Sequence, residues 1–262
     1  MSLVSLERDG ALAVITLDNP PQNRINERMA AELAEAIEAV EASDSRAVVL
    51  RAKGENFSFG GDIVNWPDMP VRQLRALFEQ YMAVFNRFER LPVPVVAAVQ
   101  GLCLGGGLEL AIRADMIVAA ENARFGHPEQ TLGIVTLLGG VYRVAERAGR
   151  SFASEWALTS EHIGAATMMQ RGVVNRVVPD SELEKSTREL AMRAAGGATR
   201  AYAAHKALLR IWAEAGVAAA DTAMFDIAMP LFETDDVRRG IPSAVNALKA
   251  GRPRPALDFR GR

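Results

Sequence analysis

The sequence predicts an α/β fold with a C-terminal α-helical region, and two patterns along the chain support this prediction. Over roughly the first 180 residues, short β-rich runs alternate with helical patterns. Such alternation is the order expected of successive βα units. After about residue 182 the β-rich runs stop, and the sequence reads as helices with breaks at residues 196–198, near Gly216 and near Pro230.

The individual elements follow from local patterns. Five apolar, β-rich runs are predicted to be strands, at residues 12–17, 47–52, 93–99, 115–120 and 173–178. Asn26 is a predicted N-cap for a helix whose apolar residues recur at helical spacing from Met29 to Val40. A second helical pattern runs from Leu74 to Phe85. The last dozen residues are rich in Pro and Gly, which predicts an irregular tail.

Composition limits the possible classes of protein. The 262 residues are 49% hydrophobic and 24% charged, which is typical of a globular chain able to bury a large core. A net charge of -2 provides no basic field for nucleic acid, so we expect no nucleic-acid partner. Cys103 is the single cysteine and cannot form an internal disulfide, which suits a reducing compartment.

A membrane span is considered at residues 91–108, which contain no charged residue. Pro92, Pro94 and four glycines in this segment favour a strand and a turn instead. The N-terminal residues lack the basic and apolar regions of a signal peptide. We therefore expect a cytoplasmic protein without a membrane partner.

Two glycine-rich turns are candidate binding sites. Gly105, Gly106 and Gly107 follow the predicted strand 93–99 and precede a predicted helix, whose first N–H groups lack helical partners. Without side chains there, a substrate oxygen can approach the backbone closely. Gly60 and Gly61 follow the strand 47–52 in the same way. The two turns could supply two N–H donors to one oxyanion, although each turn alone is more typical of a simple change of chain direction.

Two acids and three histidines are the candidate chemical groups. Glu109 and Glu129 each lie in the first turn of a predicted helix, where a carboxylate often has only a structural role. His127, His162 and His205 show no metal-ligand spacing, so no metal site is expected. The glycine pattern fits neither a dinucleotide-binding motif nor a phosphate-binding P-loop.

Four segments, in this order along the chain, resemble the enoyl-CoA hydratase/isomerase family, also called crotonases. They are NPPQNRIN, FSFGGDI, RLPVPVVAAVQGLCLGGGLELAIRADMIVAA and RFGHPEQTLGIVTLLGG, and the resemblance extends from about residue 3 to residue 255. It implies a crotonase-like spiral of ββα units with the active site in residues 1–195. It also implies that residues 196–262 form a helical region for packing and trimerisation, in a homotrimer or homohexamer.

The resemblance also implies roles for particular residues. Phe59 and Gly106 match the two residues whose backbone N–H groups form the oxyanion hole, and Glu109 and Glu129 match the two glutamates of members that hydrate 2-enoyl-CoA. The loop that meets CoA in the family matches Ser58, Phe59, Gly60, Gly61 and Asp62. The implied activity is enoyl-CoA hydration in fatty acid metabolism, with coenzyme A as part of the substrate and no separate cofactor.

The sequence departs from the family pattern at several positions. His127 precedes the Pro-Glu pair, where apolar residues or glutamine are also common, and Leu137 replaces a glycine of familiar hydratases. Leu137 and Leu138 are predicted to narrow the acyl pocket. The C-terminal segment lacks the aromatic and double-basic pattern that meets adenine in familiar members. Arg24 is a candidate for contact with a CoA phosphate, or simply an exposed loop residue.

Three other functions remain open from the sequence. A double-bond isomerase on the same scaffold would use one glutamate to move a proton. A hydratase acting on a cyclic dienoyl-CoA would use both. A non-catalytic homologue that binds acyl-CoA or protein would keep the fold, with its acids serving only as helix caps. The sequence does not fix acyl chain length, branching or stereochemistry.

Overall fold

The computed structural model describes residues 2–261, which form nine strands, nine α-helices and four short 3₁₀ helices. The strands are β1 Val4–Asp9, β2 Leu12–Leu17, β3 Ala47–Ala52, β4 Val95–Val99, β5 Leu102–Leu104, β6 Met116–Ala120, β7 Arg124–Gly126, β8 Ile163–Gly164 and β9 Arg176–Val178. The α-helices are α1 Glu27–Glu41, α2 Val71–Glu89, α3 Gly106–Ala111, α4 Gly140–Ala148, α5 Arg150–Thr159, α6 Ala165–Gln170, α7 Leu183–Ala195, α8 Thr199–Ala228 and α9 Asp235–Lys249. The 3₁₀ helices are Trp66–Asp68, Pro128–Leu132, Asp180–Glu182 and Met229–Glu233.

The strands form two sheets. The larger has the order β1-β2-β3-β4-β6-β9, in which β1 and β2 are antiparallel and all later neighbours are parallel. The smaller has the order β5-β7-β8. Repeated parallel pairing with intervening helices confirms the predicted α/β class.

Both faces of the larger sheet are covered by helices. Along β3, Val48 and Leu50 point into the main core, which includes buried residues of α1 and α2. Ala47 and Val49 point to the other face, where Leu190 and other residues of α7 pack. Because successive strand residues face opposite sides, a strand buried on both sides has a continuous apolar sequence. This explains why β3 and β4 are recognisable from sequence.

The predicted cap of α1 is confirmed. The side chain of Asn26 accepts a hydrogen bond from the N–H of Met29 at 2.9 Å. A cap of this kind contributes about 1 kcal/mol. The apolar stripe from Met29 to Val40 is buried against the sheet, as its spacing predicts.

The predicted strands agree closely with those observed, with two kinds of difference. β2 and β3 have the predicted bounds, and β4 and β6 begin slightly later. β9 covers only residues 176–178 of the predicted run 173–178. Four strands were not predicted, namely β1, β5, β7 and β8. β1 is a partly exposed edge strand with charged residues, and the other three have only two or three residues each.

The C-terminal part is helical, as predicted. Beyond residue 182 the described chain contains helices and no strand. The breaks fall at residues 196–198, at Gly216, whose φ of 81° interrupts α8, and at the 3₁₀ helix Met229–Glu233. The boundary between residues 195 and 196 as a domain division stays a prediction.

The tail from residue 251 to residue 261 has no regular structure, as predicted. It nevertheless packs against the folded chain. The carboxylate of Asp236 accepts hydrogen bonds from the N–H groups of Arg260 and Gly261 at 2.7 and 2.8 Å. Arg46 donates to the carbonyl oxygen of Phe259 at 2.6 Å. These contacts attach the tail to α9 and to the residue that precedes β3.

The apolar segment 91–108 contains β4, β5 and the turn that follows, rather than one long helix. Among the described residues, one helical stretch, Thr199–Glu233, is long and apolar enough to cross a membrane when judged only by length and composition. None of its most apolar window is buried.

Candidate active site

A cavity of about 250 Å³ lies beside both glycine-rich turns. Its walls are mainly apolar, and both candidate acids line it. The lining residues are Arg24, Ile25, Phe59, Gly61, Ile63, Trp66, Phe78, Tyr81, Leu104, Gly105, Gly106, Glu109, Pro128, Glu129, Thr131, Leu132, Ile134, Leu137 and Leu138. An apolar pocket with a few convergent polar groups is typical of a small-molecule site.

The triple-glycine turn joins β5 to α3. The sequence predicted this turn directly after the strand 93–99, but the short strand β5 lies between them. Gly105 has φ 48° and ψ −125°, a backbone conformation that favours glycine. A Cβ atom on Gly107 would lie 2.6 Å from Cβ of Ser58, so this glycine allows the two loops to pack together.

The second glycine loop packs directly against the first. Ser58 forms an isolated parallel bridge with Cys103, and the N–H of Leu104 donates to the Ser58 carbonyl oxygen at 2.9 Å. Gly60 has φ 91°, and a Cβ atom there would lie 3.0 Å from the backbone N of Gly106. The backbones of the two loops are therefore in close contact. Two N–H donors that bind the same oxygen atom need this proximity.

The free donors are those of Gly61 and Gly106. The N–H of Gly61 and the N–H of Gly106 have no hydrogen-bond acceptor among residues 2–261. A Cβ atom on Gly106 would lie 3.5 Å from the N of Gly61, so both amides border one small space. Both residues line the cavity. This geometry fits one oxyanion between two backbone donors.

The N–H of Phe59, which was predicted as an oxyanion donor, already has a partner within the chain. Its N–H donates to the carbonyl oxygen of Gln22 at 3.0 Å and is therefore occupied. Phe59 itself does line the cavity. Gly61, two residues later, carries the unoccupied N–H, although the sequence assigned it only to substrate binding.

Three other predicted binding residues do not line this cavity. Ser58 is fully buried, and its hydroxyl donates to the carbonyl oxygen of Asn23 at 2.7 Å and accepts from the N–H of Gly60. Gly60 and Asp62 shape the loop through backbone bonds with Ile25. Ser58 therefore supports the loop from inside, which its sequence position alone does not reveal.

Glu109 is a buried carboxylate held by backbone donors. It is 2% exposed, and its Oε1 accepts hydrogen bonds from the N–H groups of Leu138 and Gly140 at 2.8 and 2.9 Å. Its pKa is raised, chiefly by burial, although these two hydrogen bonds and the charges of Arg113 and Arg143 act in the opposite direction. The site thus contains specific groups that favour the ionised form of Glu109.

The surroundings of Glu129 favour a negative charge less than those of Glu109 do. It is 8% exposed, and its Oε2 has no hydrogen-bond partner among the described residues. Burial raises its pKa to about 7, and the charge of Glu109 acts in the same direction. Two acids that line one cavity therefore have different tendencies to ionise.

Arg113, a buried arginine that was not predicted from the sequence, supports Glu109 from behind. The side chain of Arg113 is fully buried and donates to the carbonyl oxygen of Leu138 at 2.7 Å. It also binds Glu89 at 2.9 Å, and Glu89 in turn binds Arg143. The peptide groups of Leu138 thus link Arg113 to Glu109. In the sequence, Arg113 is recognisable as a charged residue inside the apolar stretch that follows Glu109.

One departure from the family pattern, Leu137, lies at the cavity. Leu137 and Leu138 line it, in line with the predicted narrowing. Arg24 also lines it, with Nη1 3.5 Å from the carbonyl oxygen of Gly61 and its guanidinium carbon 5.9 Å from the centre of the Phe59 ring. Among the described residues, no group of three or more His, Cys, Asp or Glu side chains could hold a metal ion.

Comparison with known proteins agrees with this geometry. The sequence model of the enoyl-CoA hydratase/isomerase family matches residues 7–250. The chain is 38% identical to a short-chain-enoyl-CoA hydratase of Clostridium acetobutylicum over 191 residues, which cover 72% of this chain and 73% of the relative. It is 37% identical to a carnitinyl-CoA dehydratase of Escherichia coli over 216 residues, covering 80% of each.

Solved structures give the same result for the fold. The crystal structure of an enoyl-CoA hydratase from Bacillus anthracis superimposes with a TM-score of 0.89 at 26% identity. The match covers 99% of this chain and 100% of that chain. The β-rich core and the C-terminal helical region therefore both have counterparts in a known hydratase.

Proposed function

Because the chain belongs to the enoyl-CoA hydratase/isomerase family and is an enoyl-CoA hydratase-like enzyme, we propose a specific assignment of its catalytic groups. Water adds across the 2,3 double bond of an acyl-CoA thioester in the cavity. Glu109 is the general base, Glu129 is the general acid, and the N–H groups of Gly61 and Gly106 bind the thioester oxygen. The observation that carries the proposal is the meeting of two buried acids and two unoccupied backbone donors at one cavity.

In the proposed reaction, every proton that is transferred comes from water or from one of these groups. Ionised Glu109 takes a proton from water as the water oxygen bonds to C3. The electron pair of the double bond moves toward the thioester, whose oxygen gains enolate charge between Gly61 and Gly106. Glu129 gives its proton to C2, and the carbonyl of the thioester forms again. Transfer of the proton from Glu109 to Glu129 then restores the starting state.

The different surroundings of the two acids support this division of roles. Glu109 accepts two backbone hydrogen bonds, which favour its anion. Glu129 has an unpartnered oxygen and a pKa of about 7, so a large fraction of it is protonated at neutral pH.

We expect kcat/KM for hydration to have a bell-shaped pH dependence. Raising the pH through about 7 removes the proton from Glu129, so the rate should fall about tenfold per pH unit above that point. Lowering the pH protonates Glu109 and should reduce the rate on the acid side. Initial rates across this range would measure both limbs. A rate that stays level on the alkaline side would contradict the assignment of Glu129 as the acid.

The distinction between hydratase, isomerase and binding protein can be made by absorbance. Hydration of a 2-enoyl-CoA removes the conjugated absorption band, and isomerisation of a 3-enoyl-CoA creates it. We expect loss of the band with 2-enoyl-CoA and little gain with 3-enoyl-CoA. The reverse result would favour the isomerase, and no change with either would favour the binding homologue. A panel of linear and cyclic acyl groups would then define the substrate.

We also propose how the enzyme binds coenzyme A and where it acts. Coenzyme A enters as part of the substrate, and the proposed chemistry uses no further cofactor. Arg24, at the cavity wall, is available to bind a CoA phosphate. We propose that the enzyme acts in fatty acid metabolism, where acyl-CoA thioesters are substrates, and that its location is cytoplasmic. The carnitinyl-CoA dehydratase relatives suggest that substituted short acyl groups belong in the substrate panel.

We also propose that α8 lies between subunits of a homotrimer or homohexamer. None of its residues is buried within one chain, and large apolar side chains such as Leu209, Trp212 and Phe225 are 63%, 45% and 69% exposed. Exposed apolar surface on this scale is typical of an interface. Association with further copies would cover it.

Sedimentation should therefore give the mass of a trimer or hexamer at micromolar concentration. The change Phe225→Glu should lower that mass, because it would bury a charge in the interface. Leu158→Glu is the matched control, since Leu158 is 76% exposed on α5, outside the helical region. A wild-type monomer would contradict the proposed assembly without affecting the proposed chemistry.

A further inference from the structure

His127 lies beside Glu129 with unused hydrogen-bonding capacity. Its Nδ1 is 3.9 Å from Oε2 of Glu129, and the residue is 1% exposed. Both ring nitrogens of His127 and Oε2 of Glu129 lack a hydrogen-bond partner among residues 2–261. Buried polar atoms in proteins are usually paired. These three unpaired atoms, two in His127 and one in Glu129, therefore point to a hydrogen bond that forms during the reaction.

The imidazole is fixed in this position by its neighbours. Its centre lies 4.5 Å from the ring of Trp156, and the His127 carbonyl oxygen accepts a hydrogen bond from Ser160 Oγ at 2.7 Å. A Cβ atom on Gly140 would lie only 2.7 Å from the ring Cε1. Gly140 is also one of the two residues whose N–H groups hold Glu109. His127 is thus packed against Trp156 on one side and against Gly140, a support of Glu109, on another.

We propose that His127, as the neutral Nδ1–H tautomer, is a positioning residue that donates a hydrogen bond to Glu129 once Glu129 has lost its proton to substrate. The role of Glu129 as acid is taken from the proposed function above. Before proton transfer the carboxyl is neutral, and its Oε2 lies 3.9 Å from Nδ1 of His127 without a hydrogen bond. After transfer, the new charge attracts the N–H, and a hydrogen bond to an ion is stronger than one to a neutral group. Stabilising the state that develops charge lowers the barrier.

The charges around the pair favour a neutral donor. Glu109 faces Glu129 from α3 and opposes its ionisation, and no cation acts on Glu129 among the described residues. Arg113 and Arg143 act on Glu109 instead. His162 lies across Gly126, on the other side of the strand that leads to His127. Burial lowers the pKa of His127 to about 4, which keeps its ring neutral at the pH of the reaction.

Two replacements separate hydrogen bonding from packing. His127→Gln retains an N–H donor near Glu129, whereas His127→Leu has similar bulk and no polar atom. Leucine also removes two buried, unpaired nitrogens, so this variant should melt at the same temperature as the wild type or higher. His127→Met provides a second apolar replacement if the leucine variant does not fold.

The contact can be tested without substrate by following the ¹³C resonance of the Glu129 carboxyl through a pH titration, assigned with Glu129→Gln. We expect His127→Leu to raise the pKa of Glu129 by about 1 to 2 pH units, since an ionic hydrogen bond is lost. His127→Gln should titrate close to the wild type. Equal titration of all three proteins would overturn the proposal, as would equal shifts in both variants, because these results would indicate no coupling or only packing.

Kinetics provides the second part of the test. With 2-enoyl-CoA, His127→Leu should lower kcat by about tenfold or more with little change in KM, and His127→Gln should retain most of the wild-type kcat. A leucine variant with wild-type kcat would overturn the catalytic role of the contact. If no 2-enoyl-CoA is hydrated even by the wild type, the proposed function fails, while the titration still decides whether His127 stabilises ionised Glu129.

Discussion

Replacing either acid by its amide should lower kcat for hydration by at least about 10²-fold, the lower range for loss of a general acid or base. Glu109→Gln removes the group that takes the proton from water, and Glu129→Gln removes the proton for C2. Both changes keep the shape of the side chain, so acyl-CoA affinity should be largely retained. If the acids were only first-turn helix residues, each change would cost about 0.3–1 kcal/mol of stability and leave turnover nearly intact.

The double variant tests whether the two acids act on one water molecule. Groups that act as a unit show losses that are far from multiplicative. The double variant should therefore lose much less than the product of the two single effects. Glu121→Gln, an exposed acid in the loop after β6, is the control and should leave kcat unchanged. Multiplicative losses would show independent roles, and loss with only one acid would favour the isomerase.

Gly106→Ala should lower kcat by about 10²-fold or more, because the added methyl group keeps the thioester oxygen away from the N–H donors of Gly61 and Gly106. A Cβ atom there would lie 3.5 Å from the N of Gly61 and 3.5 Å from Cδ1 of Ile25, which is ordinary van der Waals contact. The fold therefore accommodates the methyl group, while the space for the thioester oxygen is reduced. Initial rates and thermal melting of the variant would measure the two effects separately.

The matched control for this change is Gly196→Ala. Gly196 has an ordinary right-handed conformation, and a Cβ atom there would meet its nearest atoms at 3.6 Å. Its position at the end of α7 should make the change neutral for kcat. A well-folded Gly106→Ala enzyme with the turnover of the wild type would remove Gly106 from the oxyanion site. Gly61 is a less clear position for this test, since a Cβ atom there would lie 3.1 Å from the Trp66 ring.

Much of the fold could be predicted from the sequence because buried strands carry a strong local signal. β2 and β3 are mainly apolar runs with covered faces, and their bounds were correct. The edge strand β1 was missed because its charged, partly exposed residues have no such pattern. Strand β5, with three residues, cannot be distinguished from a turn by periodicity, so the glycine turn was assigned to the wrong preceding strand.

Most residues of the candidate site could be predicted from the sequence. Which backbone N–H groups are free to bind an oxyanion could not. Glu109, Glu129 and Gly106 line one cavity, as their joint order suggested. The choice between Phe59 and Gly61 depends on the carbonyl oxygen of Gln22, which approaches Phe59 only in the folded chain. A local sequence pattern does not contain that contact.

Local sequence patterns also could not predict the residues that support the site from behind. Arg113 joins α3 to Glu89 of α2 and to the loop at Leu138, and each partner is distant in sequence. A buried cation of this kind requires partners that only the tertiary structure brings together. The same holds for His127, whose unpaired nitrogens become apparent only when its neighbours are known.

Incubation of a short 2-enoyl-CoA with the wild-type protein in ¹⁸O-labelled water tests the central claim most directly. Mass spectrometry of the product would locate the solvent oxygen while absorbance follows loss of the conjugated double bond. We predict a 3-hydroxyacyl-CoA with labelled oxygen at C3, formed at a rate that falls by at least about 10²-fold in Glu109→Gln and Glu129→Gln. Unchanged substrate, or a shifted double bond without labelled oxygen, would contradict the assignment of this site to hydration.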